Sequence, residues 1–348
     1  MLGNKCTVSL VGVLALASGA NAWGASGHEA VGYIAMQFLA PKALSFVQSS
    51  LGSTYSESLG PAAPWADSVR SQSAYAWTSS LHYVDAEGVF LRLSSMGIVY
   101  NLLISIRIDD PPSSCSVSQS RDCAGGCILT AIANYTQRVV DTSLSATQRQ
   151  EALKFLDHTD GQFPGTWQFI GDIGQPLHAE AVEAGGNGIS VKCNGATSNL
   201  HTVWDSSLIN KLLSADYGNS VTTWASTLAS RIKSGTYKSS AASWISCSST
   251  TDPARREALE HGIEDDISAL LRPGNKARAV TPLACPLVWA RESNALDCSY
   301  VFSYPDFSDL CTTSYYTNAV PLIEQQIAKQ GYRLAAWLNV LFDGSTEL

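Results

Sequence analysis

The chain has 348 residues, with 30 Asp and Glu against 22 Lys and Arg and a formal net charge of −8. It carries no basic tail or Lys/Arg run, which excludes a grip on duplex nucleic acid by phosphate neutralisation. A nucleic-acid substrate would have to be held by bound cations and base stacking.

The first predicted element is a secretory signal. Residues 1–22 pass from a single Lys through the apolar run Val8–Ala17 to the small-residue end Ala20-Asn21-Ala22, the charged, apolar, small-x-small order of a cleaved leader. The apolar stretch is too short for a membrane span. Cleavage after Ala22 makes Trp23 the first residue of an extracellular chain, and the expected layout is a signal at 1–22 and one domain at 23–348. Loss of Cys6 leaves an even set of cysteines, which in a secreted chain reads as disulfides. Cys123 and Cys127 enclose only Ala-Gly-Gly and are the expected local pair. Cys115 and Cys298 are further disulfide candidates, but spacing does not choose partners among Cys115, Cys193, Cys247, Cys285, Cys298 and Cys311. Asn134-Tyr-Thr is an N-glycosylation acceptor.

Along the mature chain, apolar residues recur at helical spacing and strand-like alternation is scarce. Helices are predicted over 28–50, 127–143, 148–157, 200–213, 220–234, 284–295 and 314–342. The last is the most periodic, through Ile323, Ile327, Leu334, Trp337 and Leu338. One short hairpin is predicted near 188–199, where Ile189-Ser-Val-Lys-Cys precedes Asn194-Gly195. The fold class is therefore mostly α, a single helical domain with one small β-hairpin. Two stretches, 88–108 and 253–281, fit no neighbouring pattern.

There are six histidines in the chain, and five stand in chelating contexts. His201-Thr-Val-Trp-Asp205 sets an imidazole and a carboxylate one helical turn apart on the same face. Asp172-Ile-Gly-Gln-Pro-Leu-His178 puts a second such pair within two turns. Trp65-Ala-Asp67 and Leu81-His82-Tyr83-Val84-Asp85 add more, and His28 follows Trp23 closely enough for an N-terminal amine to share its metal. Histidine with aspartate, and no paired thiolates, is the donor set of hydrolytic rather than structural zinc.

In order and spacing, the segments WGASGHEAVGYIA, PWAD, LHYVDAE, DCAGGC, AIANYTQRV, EALKFL, GDIGQPLH, EAGGNGI, NLHTVWD and IAKQGYRLAAWLN resemble the zinc-dependent, single-strand-specific nucleases of fungi and plants (the S1/P1 type). These are also 3′-nucleotidases and are kin to bacterial zinc phospholipase C. The resemblance implies the helical phospholipase C/nuclease fold, secretion, and three zinc ions at the bottom of a cleft. It further implies that Asp67, His82 and His158 hold one zinc, with Asp172 bridging to a second that takes the amino nitrogen and carbonyl oxygen of Trp23 together with His28. His178, His201 and Asp205 would hold the third. Arg70 would steady phosphate charge, Asp85 would orient the attacking water or meet the base, and Tyr83 and Asn187 would receive the base by stacking and hydrogen bonding. The implied substrates are single-stranded DNA and RNA, cut to 5′-phosphates, and 3′-nucleotides; no membrane or protein partner is indicated.

Several features depart from the family pattern. There the histidine ahead of GDxxQPLH lies one helical turn before the bridging Asp, whereas here His158 precedes Asp172 by fourteen residues and Gln168 occupies the near position. Ala179 stands where the family has an acid. Segments 88–108, 159–168 and 253–281 read as atypical insertions, and one or more of them is expected to be a translated intron.

Overall fold

The computed structural model describes residues 23–65, 72–73, 76–86, 89–92, 103–106, 109–123, 125–154, 167–248, 284–305 and 308–348. Its helices are α1 (Ala25–Met36), α2 (Pro41–Leu51), α3 (Ile128–Val140), α4 (Ala146–Lys154), α5 (Trp167–Asp172), α6 (Leu208–Asp216), α7 (Val221–Lys233), α8 (Lys238–Trp244), α9 (Ala284–Leu296) and α10 (Ser314–Phe342), with single turns between them. Among the described residues no helix is long and apolar enough to cross a membrane.

α10 is the axle. From Ile323 to Val340 nearly every residue is buried, as a helix surrounded by others must be. Its buried polar groups are matched one by one. Asn339 donates to the Phe38 carbonyl (2.9 Å) and accepts from Ala40 N (2.7 Å), Gln326 donates to the Gly174 carbonyl (2.9 Å), and Lys329 and Arg333 both pair with Glu292 of α9. α1 lies directly on it. A Cβ at Gly331 would come within 2.5 Å of the Ile34 side chain, so only glycine permits this approach.

The sequence periodicity finds these helices but misplaces several ends. The run predicted at 28–50 is two helices, because Pro41 opens α2 as its first residue and holds Ala40 extended. The 200–213 helix is a composite: a turn at Leu200–Thr202, a π turn at Val203–Ser207, then α6. α8 was not anticipated.

Among the described residues there are two antiparallel strand pairs, where one hairpin was expected. β3 (Ser190–Cys193) and β4 (Ala196–Asn199) pair through Asn194-Gly195, both at positive φ (51° and 81°), the combination a two-residue primed turn requires. β1 (Val89–Arg92) pairs with β2 (Leu103–Ile106) inside the atypical 88–108 stretch. Its Val, Phe, Leu and Ile suit a strand but lack the clean alternation by which a strand is recognised. Segment 253–281 lies outside the described residues, as does most of 159–168.

Three disulfides tie the fold: Cys115–Cys298, Cys123–Cys127 and Cys193–Cys311. Asn134 sits within α3 and is half-buried.

Candidate metal centre

The centre is built where four short pieces of chain meet. His82–Ala86 runs extended along the turn Pro176–Ala179, joined by Val84 N donating to the His178 carbonyl (2.8 Å) and His178 Nδ1 donating to the His82 carbonyl (2.7 Å). Extended backbone alternates its side chains, so His82, Val84 and Ala86 face inward while Tyr83 and Asp85 stay partly exposed. One five-residue run thus presents a buried face carrying His82 and a partly exposed face carrying Tyr83 and Asp85. Tyr83 and Asp85 are close enough that burial and the Asp85 charge together raise the Tyr83 phenol above its ordinary range.

Around His178 the hydrogen bonds fix the tautomers. His178 Nδ1 faces the His82 carbonyl and His201 Nδ1 faces the Gly185 carbonyl at 2.6 Å. A carbonyl can only accept, so both Nδ1 atoms carry the proton, and in a neutral ring that leaves Nε2 as the lone-pair atom. Those Nε2 atoms are 3.1 Å apart, and Asp205 Oδ2 lies 3.1 Å from that of His201. All three residues are buried, and their donor atoms lie within 4.8 Å of one another. Three converging acceptors in a dry site repel unless a cation sits among them, and the donor set fits zinc. Burial first, and the neighbouring His201 second, push the His178 imidazole well below its ordinary range, which keeps it in the neutral form a metal needs.

The supports are local. Gln175 donates Nε2–H to Asp205 Oδ1 (2.7 Å) and accepts Leu177 N–H at Oε1 (2.8 Å), so one amide both caps the turn carrying His178 and aims the Asp205 carboxylate. The loop that offers the Gly185 carbonyl runs through positive φ at Glu183, Ala184, Gly185 and Gly186. For Glu183 and Ala184 this left-handed backbone costs about 1–2 kcal/mol each. A Cβ at Gly185 would sit 2.5 Å from the Leu177 carbonyl. Asn187, next in this loop, donates to the Ala184 carbonyl (2.8 Å) and remains partly exposed.

A second set adjoins the first. Asp172, fully buried at the end of α5, holds Oδ1 3.1 Å from His28 Nε2 and Oδ2 2.9 Å from His82 Nδ1. His82 Nε2 is buried without a hydrogen-bond partner. Trp23 is wholly buried, and the next residue, Gly24, donates its N–H to the Asp205 carbonyl at 2.8 Å. The start of α1 is thereby drawn against the His178–His201–Asp205 set. A Cβ at Gly24 would lie 2.3 Å from Ser206 Oγ and 3.1 Å from the Asp205 carbonyl, so a larger residue there would require the Ser206 hydroxyl to turn away.

The structure therefore brings together Trp23, His28, His82, Asp172, His178, His201 and Asp205, with Tyr83 and Asp85 beside them and Asn187 in the adjoining loop. Asp67, Arg70 and His158 lie outside the described residues. Gln168 stands one turn ahead of Asp172 on α5. Sequence reading gave no role to Gln175 or the Gly185 carbonyl, although both belong to quoted motifs. It also missed a buried acid group behind the turn, made of Asp109, Glu180 and Asp297.

Fold and site together define a helical enzyme domain assembled around a buried His/Asp group that could hold a metal ion. A model of the S1/P1 Nuclease family matches residues 23–343. Nuclease PA3 of a Penicillium species and Nuclease P1 of Penicillium citrinum are each 38% identical over 323 residues, covering 91% of this chain and 97% of theirs. Nuclease S1 of Aspergillus oryzae is 35% identical over 333 residues, or 94% of each chain. The chain belongs to the S1/P1 nuclease family, and its activity is that family's hydrolysis of phosphodiester bonds.

Proposed function

We propose that the protein is a secreted, zinc-dependent endonuclease that cuts single-stranded DNA and RNA to 5′-phosphate products and removes the 3′-phosphate from nucleotides. The observation that carries this reading is the convergence of bare imidazole nitrogens on the Asp205 carboxylate, adjoining the Asp172 set. Three zinc ions would be held: one by Asp67, His82 and His158, one by Trp23 and His28, with Asp172 between these two, and one by His178, His201 and Asp205. When bound, such ions supply Lewis acidity toward phosphate oxygens and lower the pKa of water.

The remaining work falls to this chain's own side chains. Arg70 pairs with the phosphate charge. Asp85 accepts a hydrogen bond from the attacking water and orients it. Tyr83 offers a ring face to a base and Asn187 a hydrogen bond to its edge; only an unpaired base can take such a stack, which gives single-strand preference a physical cause.

The test offers metal-loaded mature protein single-stranded DNA, a 3′-mononucleotide and phosphatidylcholine, with and without chelator, alongside metal analysis. Chelator-sensitive cleavage of DNA and of the 3′-mononucleotide, with three zinc per chain, is the expected result. Turnover of the lipid alone would make the enzyme a phospholipase C. Bound zinc without turnover would make it a catalytically impaired zinc glycoprotein. Adding one residue before Trp23 should abolish metal binding at its site and the activity with it, because the amine is displaced; unchanged turnover refutes the ligand role. Transcript sequencing across codons 88–108 and 253–281 tests the translated-intron reading, which a spliced message containing both would refute.

A further inference from the structure

Among the described residues, two cysteines stand outside the three bridges. Cys247 lies in the turn Ser246–Ser248 and is partly exposed, while Cys285 is buried in the first turn of α9. That turn packs on α9, and the Cys247 thiol is in side-chain hydrogen-bond contact with Cys285. The juxtaposition is long-range, since residues 248–284 intervene. It is held on both sides: Trp244, just before the turn, accepts at its carbonyl from Arg333 Nε (3.0 Å), and Arg333 also pairs with Glu292 of α9. The two thiols are thus set together by α10 rather than by chain proximity.

We propose that Cys247 and Cys285 form a fourth disulfide in the mature protein. This rests on the secreted reading above, because only an oxidising compartment sustains such a bond. Cys247 is the partner an oxidant can reach, and its thiol is held below the ordinary range by the Cys285 hydrogen bond and, against its burial, by the nearby Arg333 charge. A thiolate so favoured is the natural attacking group. The oxidant is a thiol–disulfide oxidoreductase in its disulfide form. The Cys247 thiolate attacks one of its sulfurs, a mixed disulfide forms, and one oxidoreductase thiolate departs. The Cys285 thiolate then attacks the Cys247 sulfur and expels the second thiolate. Two electrons and the two cysteine protons pass to the oxidoreductase, which leaves as a dithiol.

The consequence is architectural. The bond closes residues 248–284 into a loop anchored at both ends on α9 and α10, so the core there does not depend on what that loop contains. A crosslink over this span removes unfolded-state freedom and should raise Tm by roughly 5–10 °C.

The experiment takes full-length protein from culture medium, unfolds it without reductant in the presence of an alkylating agent, and maps the peptides. The expected result is no alkylated cysteine and one linked peptide containing Cys247 and Cys285. Alkylation at these two positions, with the other six protected, overturns the bond and leaves the secreted reading intact. Eight alkylated cysteines would overturn both. As a second readout, Cys247→Ser, Cys285→Ser and the double variant should lower Tm by the same amount, since a bond is lost only once. Additive shifts would overturn the proposal.

Discussion

On either side of the Pro176–Ala179 turn, two groups of buried polar atoms face the same physical problem and solve it differently. On one side, His178, His201 and Asp205 aim lone pairs at a common point. On the other, Asp109, Glu180 and Asp297 bring three carboxyls into the interior, with Asn294 donating to the Ala179 carbonyl (3.0 Å) and toward Glu180 (3.5 Å). Acceptors gathered in a low dielectric must be neutralised. The first group has imidazoles oriented by backbone carbonyls and a carboxylate aimed by Gln175, a donor set that could hold a cation. In the second, Asp109 and Glu180 share a hydrogen bond, so one of them carries a proton. Burial raises the Asp109 carboxyl above its ordinary range, opposed by the Ser116 N–H that it accepts (2.7 Å) and by the nearby Arg121 charge. Burial and the Asp109 charge push Glu180 up to about 9, so it keeps the proton. A bound cation would answer the first cluster, whereas protons answer the second. The difference lies in whether imidazoles or carboxyls supply the lone pairs.

The strongest way to break this contrast is to remove a lone pair from the metal side. His201→Ala should cost more than the roughly 10–100-fold expected for loss of an outer partner, in nuclease turnover and in metal content together. Retained metal with retained activity would show that the convergence is not a ligand set. A milder change acts through orientation alone. Gln175→Ala leaves every ligand in place but frees the Asp205 carboxylate and uncaps the turn bearing His178. A loss of about 10–100-fold in metal affinity is expected, measured by competition with a chromophoric chelator. Activity at saturating zinc should fall less than activity at limiting zinc. An equal fall in both would assign Gln175 a structural role only.

How far this contrast could be read from the sequence depends on what each cluster leaves there. The metal side is legible because its partners recur at helical spacing within motifs: His201 and Asp205 share a face through a π turn as they would through an α turn. The alternation of His82 to Ala86 is visible in the letters, but the turn it runs beside is not. Gln175 stands within GDIGQPLH, yet nothing local says that its amide reaches Asp205 thirty residues on. The acid cluster is drawn from three distant segments and carries no motif. A buried Asp and an exposed one look alike in a sequence, and only packing makes Asp297 costly. The helix ends moved where a proline or a π turn intervened, features whose effect on a boundary is stronger than that of periodicity.

Asp297 is the sharpest remaining probe of the proton-neutralised side. It opens the π turn after α9, is wholly inaccessible, and neither carboxyl oxygen has a hydrogen-bond partner. Burial first, then the charges of Glu180 and Asp109, raise its pKa well above the ordinary carboxyl range. An acid whose folded pKa lies above its unfolded one favours the folded state fully below the unfolded value, near pH 4, and that contribution is lost as pH climbs toward the folded value. Glu180 acts with the same sign between about 4.5 and about 9. Thermal stability, followed with metal saturating at each pH, should therefore fall from pH 6 to 9, by at most about 1.4 kcal/mol per unit for each proton involved. Asp297→Leu replaces two unsatisfied oxygens by methyl groups on the same branched skeleton and should stabilise the fold by about 1–3 kcal/mol at pH 8, a rise of about 1–2 °C in Tm for each kcal/mol in a domain of this length. The pH slope of the variant should also be shallower, because one of its protons is gone. A variant that is less stable at pH 8, or that keeps the full slope, would mean that Asp297 is met by a charge of opposite sign, and the two clusters would then be alike.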